Sequence, residues 1–257
     1  MAKAFLIDTT KCIGCRACQV ACKRWNELPG VKTQFTGSYQ TMEDTDYNTF
    51  TLIKFTEVSD GGNMQWLFRK KQCMQCTEAA CIKACPTQAI TKHKEGFKIR
   101  DDSKCVGCGM CVSACPFGVP KKDEKAMKVR DCVFCANRVV NKMAPSCQKT
   151  CPPGALSFGE RDQVLDMAKK RVADLKTKFP KAYLYGESEL GGLGVMTIIT
   201  ESPGVYDLPE NPKVAEHVEA LEEFYRMVGI KNQARDTILK LVASWADQHG
   251  VKQSTKV

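Results

Sequence analysis

Lys11-Cys12-Ile13-Gly14-Cys15-Arg16-Ala17-Cys18-Gln19-Val20-Ala21-Cys22, near the start of the chain, sets a pattern that recurs at Cys105-Val106-Gly107-Cys108-Gly109-Met110-Cys111-Val112-Ser113-Ala114-Cys115-Pro116. Both runs read C-x2-C-x2-C-x3-C. Two further groups complete the set: Cys73-x2-Cys76-x4-Cys81-x3-Cys85-Pro86 and Cys132-x2-Cys135-x11-Cys147-x3-Cys151-Pro152. All 16 cysteines of the 257-residue chain belong to one of these four groups, and none is left over. Three thiols at this spacing wrap a loop around one face of a [4Fe–4S] cubane, with backbone N–H groups turned toward its sulfides. The fourth thiol, three residues on, starts a helix that points away. Gly14, Gly107 and Gly109 allow the tight turn and close approach that such a loop needs, and Pro86, Pro116 and Pro152 redirect the chain after the fourth thiol.

Two other uses of cysteine compete with this one. Zinc sites take separated pairs of ligands, and a C-x2-C-x2-C-x3-C run crowds three thiols too closely for that. Group four, with its gap of eleven, also fits a zinc ribbon when taken alone. Disulfides between residues three apart would be strained and would gain little loop entropy. In two-cluster bacterial ferredoxins the fourth cysteine of such a run reaches a different cluster from the first three.

The formal net charge is +9, but the Lys and Arg residues are scattered. No basic run is interleaved with aromatics as in a single-strand binder, so nucleic acid is not an expected partner. Four oxidised clusters with their thiolates would carry about −8 in all, which makes the basic excess a counter-charge. The amino terminus runs directly into the first motif without an apolar export segment. No stretch approaches the roughly 18 to 20 apolar residues of a membrane span.

Outside the cysteine groups, residues 28–71 form an insertion. Its segment 49–58, a Ser59-Asp60-Gly61-Gly62-Asn63 turn and Gln65-Trp66-Leu67-Phe68 predict a β-hairpin. Residues 89–91 and 97–99 predict a second, shorter hairpin. Residues 155–158 predict a strand. Asp162 caps an expected helix to about Phe179, with Val164, Leu165, Ala168, Val172 and Leu175 on one face, ended by Pro180. Residues 186–212, punctuated by Gly and Pro, read as an irregular extended connection. Two amphipathic helices follow, near 214–228 and 234–248, and their stripes read as packing against this chain or a partner. His93, His217 and His249 lie apart from the cysteine groups and read as surface residues. No nucleophile with a partner base, dinucleotide fingerprint or phosphate loop is present, so the chain carries electrons without a catalytic centre of its own.

In the order of its motifs the chain resembles the four-cluster β subunit of formate dehydrogenases, among the iron–sulfur partners of molybdenum and tungsten bis-pterin oxidoreductases. The resemblance covers about 210 residues. It is carried by the Lys11–Cys22 run with Trp25-Asn26, by Trp66-Leu67-Phe68-Arg69-Lys70, by Cys115-Pro116-Phe117-Gly118-Val119-Pro120 and by the extension 192–212. It implies an α+β fold of two nested ferredoxin-like 2[4Fe–4S] modules with a β-hairpin insertion and a helical carboxy-terminal extension. The expected divisions are 1–70 (outer module, first part, with the hairpin), 71–120 (inner module), 121–185 (outer module, second part) and 186–257 (extension).

The resemblance also implies crossed ligand sets. One cluster takes Cys12, Cys15, Cys18 and Cys151, and its module partner takes Cys22, Cys132, Cys135 and Cys147. The inner pair takes Cys73, Cys76 and Cys81 with Cys115, and Cys105, Cys108 and Cys111 with Cys85. The implied partners are a Mo/W-pterin catalytic subunit and a downstream acceptor, whether a cytochrome, a quinone-linked subunit or a soluble carrier. A departure from the family is the polar tail, where membrane-anchored members carry a transmembrane helix. The implied location is the periplasm, reached by co-export with a catalytic subunit bearing a twin-Arg signal, with the cytoplasm as the alternative. The same relay could serve another reductase, an aldehyde oxidoreductase or a hydrogenase, and a zinc-bearing structural adaptor is the reading from a different class.

Overall fold

The computed structural model describes residues 2–60, 62–230 and 233–251. In chain order the elements are β1 (Lys3–Asp8), α1 (Ala17–Trp25), β2 (Leu52–Asp60), β3 (Asn63–Lys71), α2 (Ala80–Lys83), β4 (Ile90–Lys92), β5 (Lys98–Arg100), α3 (Met110–Ser113), β6 (Lys121–Asp123), β7 (Lys128–Arg130), α4 (Ala136–Val139), α5 (Ser146–Lys149), β8 (Leu156–Glu160), α6 (Arg161–Leu175), β9 (Tyr183–Tyr185), β10 (Val195–Ile199), α7 (Glu216–Met227) and α8 (Arg235–Gln248). The fold is α+β.

Among the described residues, three hairpins and one mixed sheet make up the β-structure. β2 pairs with β3 antiparallel in register from Leu52↔Lys71 to Asp60↔Asn63, so the expected insertion hairpin is longer than its sequence signal. β4–β5 is the second expected hairpin, shifted by one residue. β6–β7 is a third, which the sequence reading did not anticipate. The four-stranded sheet has the order β8-β1-β10-β9, with β1 antiparallel to β8 and parallel to β10. Residues 186–212 were expected to be irregular, yet Val195–Ile199 within them is a central strand, buried at every position. The division expected at 186 therefore falls inside this sheet.

Alternation on β1 explains its place. Ala4 and Leu6 face α6 with Val164, Ala168, Leu175, Met196 and Ile198, a layer free of cysteine. Phe5 and Ile7 face the other way, into the core that also holds Cys18, Cys73 and Cys147. Each fully buried Leu, Ile or Phe contributes about 1.5–3 kcal/mol, so the strand is held from both faces. α6 begins at Arg161 and ends at Leu175, short of Phe179. Asp162 lies in its first turn rather than at its cap, because Glu160 before it is still paired with Lys3 as the end of β8.

α7 and α8 pack on this chain. Val218, Leu221 and Tyr225 of α7 join Ile238, Val242 and Trp245 of α8 over Ala80 and Met110 of α2 and α3 and their C-caps, Ala84 and Ala114. The alanines leave room for close approach, and the Tyr225 hydroxyl donates to the Ala84 carbonyl at 3.2 Å. The two helices thus cover the cysteine loops of groups two and three. No helix among the described residues is long and apolar enough to cross a membrane.

Candidate metal centre

Each C-x-x-C loop turns in the same way. Its third residue has a left-handed backbone in all four groups: Gly14 (φ 67), Gln75 (φ 53), Gly107 (φ 74) and Phe134 (φ 55). Two of the four are not glycine, and a side chain in this region costs roughly 1–2 kcal/mol. Both are held from outside the loop. The Gln75 amide donates to the Cys132 carbonyl at 2.9 Å and accepts from Lys98 N at 2.7 Å, while Phe134 packs among Phe5, Phe97 and Phe158. The turn directs N–H groups at sulfur, as with Gly14 toward Cys12 and Gln75 toward Cys73. A second repeat follows the Cys-Pro steps, where Gln88, Gly118 and Gly154 are all left-handed.

These loops bring the thiols together across groups. One cleft of about 380 Å³ is lined by Cys12, Cys15, Cys18 and Cys151, and another of about 390 Å³ by Cys22, Cys132, Cys135 and Cys147. A third, of about 440 Å³, is lined by Cys73, Cys76, Cys81 and Cys115. Cys108 lies in the field of Cys85 and Cys105, and Cys111 in that of Cys108, Cys81 and Cys85. Each constellation draws on two sequence groups. Four thiols in each of the three clefts argue for the same guest in each.

All sixteen thiols are free, and burial disfavours the charged form of several of them. It pushes Cys18, Cys22, Cys81 and Cys108 up to about 12 and Cys73 up to about 11, with neighbouring thiols adding to the effect. Thiolates held this way need positive metal in their midst. Among the described residues no three Cys, His, Asp or Glu side chains converge as a single metal ion requires. A four-iron cubane takes one thiolate at each corner, and each of the three clefts offers four.

Buried cations meet these sulfurs. Lys70 of β3 is 2% exposed, and it lines both the Cys12 and the Cys22 clefts. Burial alone pulls its ammonium down, but Cys147, Cys18, Cys132 and Cys22 outweigh that and hold it above its ordinary value. Lys98 of β5 lines the Cys73 cleft and pairs with Asp131, which also takes Arg100 Nη2 at 3.1 Å. Burial opposes charge at Asp131, and the two cations hold its carboxyl below the usual range. Sequence reading expected counter-charge in general but did not locate these residues. Their signal was basic residues inside apolar strands directly before a cysteine group. His93, His217 and His249 lie outside the three cysteine-lined clefts.

Comparison with known proteins agrees with this geometry. Two family models, both described as a 4Fe-4S dicluster domain, match residues 11–89 and 64–161. The formate dehydrogenase-O iron-sulfur subunit of Escherichia coli is 39% identical over 221 residues, covering 84% of this chain and 74% of that protein. The chain belongs to the formate dehydrogenase iron–sulfur subunit family. The Haemophilus influenzae formate dehydrogenase iron-sulfur subunit is 39% identical over 217 residues, 82% of this chain and 70% of that one. Formate dehydrogenase 2 subunit beta (cytochrome c-553) of Nitratidesulfovibrio vulgaris is 39% identical over 193 residues, 72% of this chain and 88% of that one. As a member of that family the chain has an electron-transfer role. Two dicluster matches and sixteen thiols correspond to four [4Fe–4S] clusters.

Proposed function

We propose that the sixteen cysteines ligate four [4Fe–4S] clusters in the four crossed sets, and that the chain relays single electrons between a Mo/W-pterin catalytic subunit acting on formate and a downstream acceptor. The observation that carries this is the crossing itself: each cleft is completed by a cysteine from a distant group, Cys151 for the first loop and Cys115 for the second. When bound, the clusters take up and release one electron each within a wide range of potentials. The chain's own residues hold them, exclude water and supply N–H donors and fixed charge that tune them.

Cys15 is the one exposed cysteine, and Ile13 and Val20 beside it are 61% and 68% exposed. That face is where a catalytic partner can bring its cofactor nearest to the outer sets. A c-type cytochrome is the acceptor of this reading, supported by the cytochrome named in the Nitratidesulfovibrio relative. The compartment belonging to this reading is the periplasm, entered with the catalytic subunit. A partner gene without a twin-Arg signal would move it to the cytoplasm.

The test is elemental analysis of the complex purified anaerobically from its native host through a tag on this chain. About 16 iron atoms per chain beyond the partner's own, together with molybdenum or tungsten, is the expected result. Zinc in place of iron would overturn the ligand reading, and iron without either heavy metal would overturn the pterin partnership.

A further inference from the structure

Arg69, Lys70 and Lys71 are consecutive on β3, and all three are buried. Strand alternation sends Arg69 and Lys71 to one face, where carboxylates meet them: Arg69 Nη2 lies 3.0 Å from Asp207, and Lys71 Nζ lies 2.9 Å from Asp44. Lys70 points the other way, into the wall between two cysteine clefts. Its Nζ donates to Gln72 Oε1, a neutral acceptor, and sits 5.7 Å from the Phe5 ring. Among the described residues no carboxylate pairs with it. The inner module is built differently: Lys98 and Arg100 there share the single carboxylate of Asp131, which leaves one positive charge over.

A buried cation without a carboxylate is costly unless some other anion compensates it. Lys70 lines both the Cys12-Cys15-Cys18-Cys151 cleft and the Cys22-Cys132-Cys135-Cys147 cleft. We infer that Lys70 is the shared counter-charge of the two outer clusters, a positioning residue that raises the reduction potential of both. The inference rests on the ligand sets proposed above. A fixed positive charge favours the arrival of one more electron at either cleft, and in a buried setting it is poorly screened. The outer pair thus takes its buried positive charge from one lysine, while the inner pair takes its own from two cations that share one carboxylate. Gln72 supports the same view, because its Nε2 is buried without a partner. The amide is kept beside Lys70 as a neutral acceptor at the expense of an unmet donor, where a carboxylate would have neutralised the lysine.

The experiment is an anaerobic redox titration of the full iron-loaded chain, followed by electron paramagnetic resonance. Signals are assigned to outer or inner sets by their loss in Cys12→Ser and Cys135→Ser (outer) and in Cys76→Ser and Cys108→Ser (inner). The parent's iron content and four signals test the ligand sets; the shifts in the variants test Lys70. In Lys70→Met, both outer signals should show at least a tenfold fall in the equilibrium constant for reduction, about 59 mV lower for a one-electron couple. The inner signals should stay in place, and Lys70→Arg should restore the outer ones. If Lys70→Met fails to load iron, Gln72→Glu decides. It leaves the lysine in place, removes the unmet amide donor and neutralises the charge, and should lower the same two signals. Outer potentials unchanged within about threefold, about 28 mV by the same constant, in an iron-replete Lys70→Met or Gln72→Glu chain overturn the inference. So does an equal shift of all four signals.

Discussion

Replacing Asp131 with Asn strands two cations in the interior. The carboxylate is fully buried, Lys98 and Arg100 are 3% and 5% exposed at the side chain, and both bond to it. Breaking a buried ion pair by removing one partner costs about 3–5 kcal/mol, most of it the penalty of the uncompensated charge left behind. For a chain of this size each kcal/mol lowers Tm by about 2–4 °C, so the expected loss is about 6 to 20 °C. Bound clusters should draw the effect toward the lower end, since thiolate sets at Cys73 and Cys111 lie in the fields of Lys98 and Arg100 and share the compensation. The assay is anaerobic thermal unfolding, read by tryptophan fluorescence and by bleaching of visible absorption. Unfolding that loses clusters is irreversible, so half-lives at a fixed temperature should accompany the midpoints. The control is Glu223→Gln, which breaks an exposed pair with Arg226 at 3.3 Å; such pairs contribute about 0–1 kcal/mol. An Asp131→Asn chain with full iron that melts within about 2 °C of the parent would refute the view that this triad anchors the inner module.

Three further variants probe other parts of the site. In Gly107→Ala the new Cβ would stand 2.3 Å from the Met127 carbonyl oxygen at a left-handed φ of +74, so the β6–β7 turn must shift. Bound iron should then fall by about a quarter, and normal iron content by elemental analysis would count against the close packing described. Cys108→Ser should remove or convert one cluster signal while the catalytic partner's formate binding is untouched; unchanged spectra would sink that ligand assignment. Trp245→Ala should cost about 3–5 kcal/mol, because the ring is 5% exposed in the core it shares with Cys108. The check is hydrogen exchange, which should quicken across α7 and α8 with little change in α6.

What could be read from the sequence was what local spacing encodes. Cysteine separations announced the loops, and Thr, Phe and Gly-Gly patterning announced the β2–β3 hairpin. The left-handed turn at Gly14 and Gly107 was legible because glycine marks it. At Gln75 and Phe134 the same turn was hidden, since contacts from elsewhere in the fold hold those residues there. The strand Val195–Ile199 was missed for a related reason. Four apolar residues and a threonine after a glycine-rich segment show no clear period, and the strand's partner, β1, lies about 190 residues earlier. Lys70, Lys98 and Asp131 eluded a charge count because their meaning depends on which face of a strand turns inward. The crossed sets came from family likeness, since spacing alone does not say which distant cysteine closes a loop.

The parallel pairing of β1 with β10 also orders events on the ribosome. At about 5–20 residues per second, β1 waits roughly 10 to 40 seconds before the strand beside it has been synthesised. For most of that time, until β8 is made, Ala4, Phe5, Leu6 and Ile7, all buried in the finished sheet, have no strand to pair with. Group four ends at Cys151, ahead of β8 and β10, so every thiol has been made before the sheet can close. The sheet is a clasp fastened last, and iron delivered before fastening meets open loops instead of a shut core.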